Sequence, residues 1–272
     1  MKDMFAYSEA VRRMRQFFQE KKGFIEVPAQ SRQSILAACE DPATISQYIF
    51  SGVNWPLPQT GQMWLEQELL ENPELPGVFC ISTSYRNEPN PIEGRHDKIF
   101  PMFEFESRGG VEDMIDLEKG LLRHLGFEKL GYMRSTYDHM CDNLETETLT
   151  ANDELVMAKK FSNVVYLTDF PLRTHPFWNM KQNGDVFNKV DVILYGMETI
   201  GSAERSTNVE EMRKNFYTIS DGEYANLLFN HFGRYRVEKE LEEYFSLSMF
   251  PRYGGGIGLT RMTRAMKLAK LL

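Results

Sequence analysis

The chain is expected to fold as an α+β domain, a mainly antiparallel sheet flanked by helices, and three observations predict it. Strand-like apolar runs come in groups, 78–86 with 100–107 and then 164–170, 186–196 and 197–205, without the regular strand–helix alternation of a parallel sheet. The first pair is joined by a polar loop rich in Pro, Asn and Gly, which reads as a long-looped antiparallel hairpin. Helical apolar spacing is found before, between and after these groups.

Taken in order, residues 8–22 (SEAVRRMRQFFQEKK) read as a helix, with Val11, Met14, Phe17 and Phe18 on one stripe and Ser8 as N-cap. Gly23 should end it, and FIEV follows as a short strand. GQMWLEQELLE (61–71) is a second helix, and after the hairpin comes the amphipathic helix VEDMIDLEKGLLRHLGF. The polar stretch 132–160 is helical near 152–160. VVYLTDF, VFNKVDVILYG and METIGSAER then read as strands, and NVEEMRKNF and 222–245 as helices. GGGIG is expected as a glycine-rich turn before a helix over 259–272. There is no internal repeat, low-complexity tract or linker, so residues 1–272 are expected to form one domain.

Composition is that of a globular protein of 272 residues, enough to bury a large core. No apolar run approaches the ~18 residues of a membrane span, and the charged N-terminus does not read as a signal peptide. Cys39, Cys80 and Cys141 lie far apart and read as reduced thiols, so a cytoplasmic protein is expected. A net charge of −8 weighs against a protein that grips nucleic acid through phosphates, without excluding a local basic patch.

Several residues could carry chemistry. The hairpin loop YRNEPNPIEGRHDKIF holds Arg86, Glu88, Arg95, His96 and Phe100; arginines on both arms could clamp a polyphosphate and the aromatic could stack on a base. The alternative is a solvated hairpin with surface ion pairs. Arg261 follows the glycines 254–256 and 258 early in a helix, where phosphate could bind, although a tight turn would look the same. Asp191 and Glu198 flank VILYGM and could hold Mg²⁺ on ATP, or be ordinary edge residues. Histidines and cysteines show no zinc spacing, and no GxSxG or other nucleophile stands out.

In this order the motifs resemble the catalytic domain of class II aminoacyl-tRNA synthetases, aspartyl/asparaginyl branch, from about Phe17 to the last helix. KKGFIEV is similar to motif 1, SYRNE…RHDKIFPMFEFE to motif 2 and GGGIGLTR to motif 3, with DVILYGMETIGSAER between. The resemblance implies a six- to seven-stranded class II sheet and a homodimer through motif 1. It implies that Arg86 contacts the ATP α-phosphate, Glu88 lies near the adenine amino group and Phe100 stacks on the ring. Arg95, His96 and Arg261 would hold the β- and γ-phosphates beside Gly256 and Gly258, with Asp191 and Glu198 on Mg²⁺ and Arg86 and Arg261 as the catalytic pair. No general base is needed, because the nucleophile is an ionised carboxylate.

ACED places Glu40 where the family holds the substrate ammonium. TGQMWLE resembles the asparaginyl form of the amino-acid pocket, with Gln62, Glu66 and, opposite, Arg205; Leu65 stands where aspartyl enzymes carry lysine. An aspartate turned end for end, α-carboxylate on Arg205 and ammonium on Glu66, would present its β-carboxylate to ATP. That suits ammonia-dependent, AMP-forming asparagine synthetases, which share this fold. Thr260 before Arg261 and the run PFWNM resemble that branch, and no room is expected for an anticodon-binding domain. Ile99 and Glu204 depart from the family pattern; Glu204 could hold Arg205 or weaken its pull on a carboxylate. The first expectation is therefore an aspartate–ammonia ligase. The second is a truncated asparaginyl-type paralogue that passes its activated amino acid to a tRNA or another acceptor, tRNA being the less expected partner. A binding module that has lost catalysis is the third.

Overall fold

The computed structural model of the chain describes residues 3–28, 34–38 and 44–272. Helix α1 (Met4–Arg15) starts earlier than expected: Asp3, not Ser8, is its N-cap, its carboxylate accepting from the Ala6 N–H at 3.0 Å. Met4 and Phe5 are exposed, so the first turn adds only Ala6 and Tyr7 to the buried side of the helix. The helix continues as a wider π-helical turn over Gln16–Lys21, and Gly23 ends it at φ +71°.

Short strand β1 (Ile25–Glu26) follows, then a hairpin of β2 (Gln47–Phe50) and β3 (Val53–Pro56), and α2 (Gln62–Glu71). The expected long-looped hairpin is β4 (Gly77–Tyr85) with β5 (Ile99–Arg108), paired from Gly77↔Ser107 to Tyr85↔Ile99. Helix α3 (Val111–Leu125) ends at Gly126, left-handed at φ +104°. The polar stretch after it holds more structure than its pattern shows: β6 (Met133–Thr136), α4 (Tyr137–Leu144) and α5 (Ala151–Lys160). Strands β7 (Val164–Pro171), β8 (Gln182–Asn183), β9 (Val186–Leu194) and β10 (Met197–Arg205) come next. Helices α6 (Val209–Thr218), α7 (Glu223–Phe232) and α8 (Arg234–Phe245) lead to β11 (Arg252–Gly258) and α9 (Leu259–Leu268).

Among the described residues the main sheet has nine strands, not six or seven, in the order β1-β4-β5-β11-β10-β9-β7-β6 with β8 on β9. The excess comes from β6 and β8, too short to show a period, and from β11. Pairing is antiparallel except at the two edges, where β1 runs parallel to β4 and β6 parallel to β7. The glycine run is not a turn: it is β11, sandwiched between β5 and β10.

One face of the sheet carries α1, α3 and α9 over an aromatic core in which Phe79 and Phe103 stack at 4.9 Å with Phe18 and Phe105 beside them. On the other face α2 packs Leu65 and Leu69 on Val78 and Cys80. There α6, α7 and α8 bury Trp178 among Phe216, Tyr244 and Phe245. Between these covers the middle of this second face stays open, which is where the motif residues gather. No helix among the described residues is long and apolar enough to cross a membrane.

Candidate active site

Period-two alternation decides which side chains reach the open face. On β5 these are Met102, Glu104 and Glu106, while Phe103 and Phe105 enter the core. On β11, between them and β10, the corresponding positions are Gly254, Gly256 and Gly258. A Cβ at Gly254 would lie 1.9 Å from Glu106 Oε1, and one at Gly256 would lie 2.7 Å from Met102 Cε and 3.2 Å from Gln62 Nε2. The glycines thus make a strand whose neighbours' side chains lie across it, and a trough forms above.

One end of the trough is a cavity of about 250 Å³ lined by every residue expected to bind ATP: Arg86, Glu88, Arg95, His96, Phe100, Glu198, Gly256, Gly258 and Arg261. The Arg86 guanidinium sits 5.7 Å over the Phe100 ring, and the Arg86 N–H closes the hairpin on the Lys98 carbonyl at 2.8 Å. Arg261, in the first turn of α9, donates to the Glu198 carbonyl at 2.8 Å and reaches the Arg95 carbonyl at 3.4 Å. His96 is held below its usual pKa by burial and by nearby Arg261. Arg95 is gripped by Glu154 of α5 at 2.5 Å, and the other Glu154 oxygen accepts from the Glu198 N–H at 2.6 Å. A triphosphate taking Arg95 must compete with Glu154, a residue that the polar pattern of its stretch did not single out.

Asp191 and Glu198 come together through an irregularity. The β9–β10 register shifts between Glu198 and Ile200, and this bulge brings Glu198 toward the face that Gly201 and Asp191 share. Glu198 Oε1 and Asp191 Oδ1 would lie 3.2 and 3.6 Å from a Cβ at Gly201, so the glycine keeps the gap between them open. Burial pushes the Asp191 carboxyl up to about 7, with Lys189 opposing the rise and Glu198 adding to it. Asp191 Oδ2 accepts from Lys189 Nζ at 2.7 Å, while buried Oδ1 has no hydrogen-bond partner. Two carboxylates, one with an unused buried oxygen, fit a cation whose other ligands are phosphate and water, as Mg²⁺ prefers. No cluster of three or more His, Cys, Asp or Glu side chains suited to a metal occurs among the described residues.

Beyond Gln62, Arg86, Glu198 and Gly201 the trough continues into a second cavity that also meets His175, Phe177, Lys189, Asp191 and Arg205. Arg205 donates to Gln62 Oε1 at 2.9 Å and to Glu106 Oε1 from Nη2 at 2.5 Å and Nε at 3.2 Å. Glu66 does not stand opposite Arg205. It lies beside it, fully buried, with Oε1 3.5 Å from Arg205 Nε. Its oxygens accept from Asn179 at 2.7 Å, Tyr244 at 2.8 Å and Arg252 at 2.7 Å, which fills the carboxylate with protein donors. Glu66 therefore braces the pocket from behind. Glu204 does not touch Arg205 either: alternation turns it to the other face, where it takes Lys181, Asn188 and the Val111 N–H at the start of α3. Glu40 lies outside the described residues, as does Cys39, while Cys80 and Cys141 are buried free thiols.

Glu104, Glu106, Arg252 and Tyr244 were not anticipated. A signal for the two acids was present: in FEFE the charges recur at period two inside an apolar strand, which places both on one face. Glu104 is held by Thr60, Ser82 and the Gly61 N–H, joining the start of α2 to the trough.

A family model described as tRNA synthetases class II (D, K and N) matches residues 1–270. The aspartate–tRNA(Asp) ligase of Thermoplasma volcanium is 24 % identical over 276 residues, covering 90 % of this chain and 60 % of that protein. The aspartate–tRNA(Asp/Asn) ligase of Methanopyrus kandleri is 23 % identical over 273 residues, with 90 % and 59 % covered. The chain thus spans about 60 % of the length of these curated relatives. Among solved structures, asparaginyl-tRNA synthetase from Pyrococcus horikoshii with asparaginyl-adenylate superposes at a TM-score of 0.74 and 18 % identity, covering 96 % of this chain and 64 % of that one. The Entamoeba histolytica asparaginyl enzyme with the same adenylate gives 0.73 and 17 %, covering 97 % and 63 %. At such identities the structures establish the fold, and the family match establishes membership. The chain belongs to the class II tRNA synthetase family, in its aspartate, lysine and asparagine branch.

Proposed function

We propose that the chain uses ATP to activate aspartate as an acyl-adenylate and passes the acyl group to ammonia, giving asparagine, AMP and pyrophosphate. The observation that carries the activation step is the trough itself: two cavities, one lined by the motif 2 and motif 3 residues and one by Arg205, that share Gln62, Arg86, Glu198 and Gly201. A carboxylate docked from the Arg205 end and an ATP docked from the Phe100 end would meet at Arg86.

The chemistry needs little beyond placement. For asparagine to form, an oxygen of the aspartate β-carboxylate attacks the α-phosphorus in line, and the bond to the bridging oxygen breaks, so pyrophosphate leaves with that electron pair. Arg86 is placed to meet charge at the α-phosphate, while Arg95, His96 and Arg261 hold the departing pyrophosphate. Asp191 and Glu198 would hold Mg²⁺, which when bound supplies positive charge against the phosphates. Ammonia then attacks the acyl carbon, the C–O bond breaks so that AMP leaves carrying the former carboxylate oxygen, and the new amide nitrogen sheds a proton to solvent. Thr260 beside Arg261 in the nucleotide cavity, together with PFWNM, supports ammonia through resemblance to the asparagine-making branch. PFWNM also acquires a structural task, since its Asn179 holds Glu66. Because Asn179, Tyr244 and Arg252 fill Glu66, the ammonium of the turned aspartate would be held by a group other than that residue.

A second reading, transfer to tRNA, is favoured by the activities named for the Thermoplasma and Methanopyrus relatives. We also propose the homodimer that motif 1 implies. The deciding experiment is AMP and amino-acid product analysis with ATP, Mg²⁺ and L-aspartate, with and without ammonium. Asparagine formed only with ammonium supports the first reading. Amino-acid-dependent pyrophosphate exchange without asparagine, together with charging of tRNA, supports the second. No exchange with aspartate or asparagine overturns the activation step.

A further inference from the structure

Arg205 sits in a closed set of four charges: two arginines, Arg205 and Arg252, and two glutamates, Glu66 and Glu106, each at most 2 % exposed. The set is neutral when both glutamates are ionised. A substrate carboxylate on Arg205 adds a third negative charge where water is scarce, and uncompensated charge there is costly.

The two glutamates are not equivalent. Glu66 is taken up on both oxygens by Asn179, Tyr244 and Arg252; burial works to raise it, but Arg252 and Arg205 win and hold it below the usual carboxylate range. Glu106 has only Oε1 engaged, by Arg205, while Oε2 is buried with no hydrogen-bond partner. Its seat is fixed from above by Gly254, where any Cβ would strike the carboxylate. Burial pushes Glu106 up to about 8, with Arg205 opposing and Glu66 adding to the rise. The other groups near it are Arg252, which lowers it, and Tyr244 behind Glu66 on α8, while Tyr253, next on β11, feels its charge from the opposite face of the sheet.

Resting on the second, tRNA-transfer reading, in which aspartate sets its side-chain carboxylate on Arg205 and turns its α-carboxylate to ATP, we infer that Glu106 accepts a proton on Oε2 when that side-chain carboxylate docks, so that binding of aspartate, unlike that of asparagine, is linked to proton uptake. The proton comes from solvent, and Oε1 still accepts from Arg205, so the heavy atoms need not move. Glu106 is a positioning residue: it touches Arg205, and through its charge sets how Arg205 discriminates acid from amide.

The test is KM for aspartate and for asparagine in ATP–pyrophosphate exchange between about pH 6.5 and 9, in wild type and Glu106→Gln. The glutamine keeps an acceptor for Arg205 and cannot ionise. The wild-type to E106Q ratio of KM for aspartate should stay level to about pH 8 and then rise by up to ~10-fold per pH unit, while the ratio for asparagine stays flat. Taking this ratio cancels titration of the substrate ammonium. Calorimetry of aspartate binding to wild type in two buffers of different ionisation enthalpy gives a readout that needs no variant: net proton uptake near pH 8.5 supports the inference. Equal pH profiles in the two proteins, or no buffer dependence, overturn it while leaving activation intact. Absence of exchange with either amino acid overturns the activation reading and this inference together.

Discussion

Arg86 and Arg261 reach one cavity from different elements, Arg86 from the loop after β4 and Arg261 from the first turn of α9. On the proposed reading, removing either would leave phosphate charge unmet where it builds up. Arg86→Ala and Arg261→Ala should each lower kcat for pyrophosphate exchange by about 100-fold or more, as losing a preorganised charge-stabilising donor does elsewhere. Stopped assays of exchange on the folded variants check this. A quieter residue is Glu118, buried on α3 beneath the sheet, whose Oε1 accepts from the Ser202 hydroxyl at 2.6 Å while Oε2 has no partner. Burial pushes it from 4.5 up to about 8, Ser202 opposing and Asp191 adding. The folded state therefore holds a proton that the unfolded chain releases, so stability falls as pH rises from about 4.5 through 8 and levels off above. Glu118→Gln should remove this fall, gaining on the order of 1–3 kcal/mol over wild type at pH 8 and little near pH 5. Denaturant melts at the two pH values measure it.

At the level of the element, β11 shows how a strand can be misread. Gly254, Gly255 and Gly256 look like a turn because glycine is depleted from strands, yet here the missing side chains are what allow Glu106 and Met102 to cross. Gly254→Ala should displace Glu106 and with it Arg205, abolishing amino-acid-dependent exchange and destabilising the fold by about 2–4 kcal/mol. Gly256→Ala meets only the flexible end of Met102 at 2.7 Å and the Gln62 amide, so it should fold and raise KM for ATP by about 10-fold. The β9–β10 bulge is the second device. It puts Glu198 beside Asp191, and Asp191→Asn should raise the Mg²⁺ concentration for half-maximal exchange by about 10-fold, read by Mg²⁺ titration.

For the molecule as a whole, one sheet separates two environments. The face under α1, α3 and α9 is an aromatic core, and the other is a trough whose ends differ in chemistry: arginines and a ring at one, a balanced set of buried charges at the other. The amphipathic helices, the β4–β5 hairpin and the ATP-end residues were all legible along the chain, because each depends on spacing within one element or on a motif read in order. Glu66 was found but misplaced, and Glu106 and Glu154 were missed, for a common reason. What each carboxylate does depends on which distant residue lies across from it: Arg252 and Tyr244 for Glu66, Arg205 for Glu106, Arg95 for Glu154. By itself the order of residues determined the family, the class of fold and which residues line the cavity at the Phe100 end of the trough, since periodicity and motif order are local properties. Only the tertiary structure decided that the glycines form a strand, that Glu204 faces away from Arg205 and that Glu66 is bound from behind. Those facts follow from strand register and from pairings between residues 99 apart in the chain for Glu106 and Arg205 and 186 apart for Glu66 and Arg252, which no short window of sequence contains.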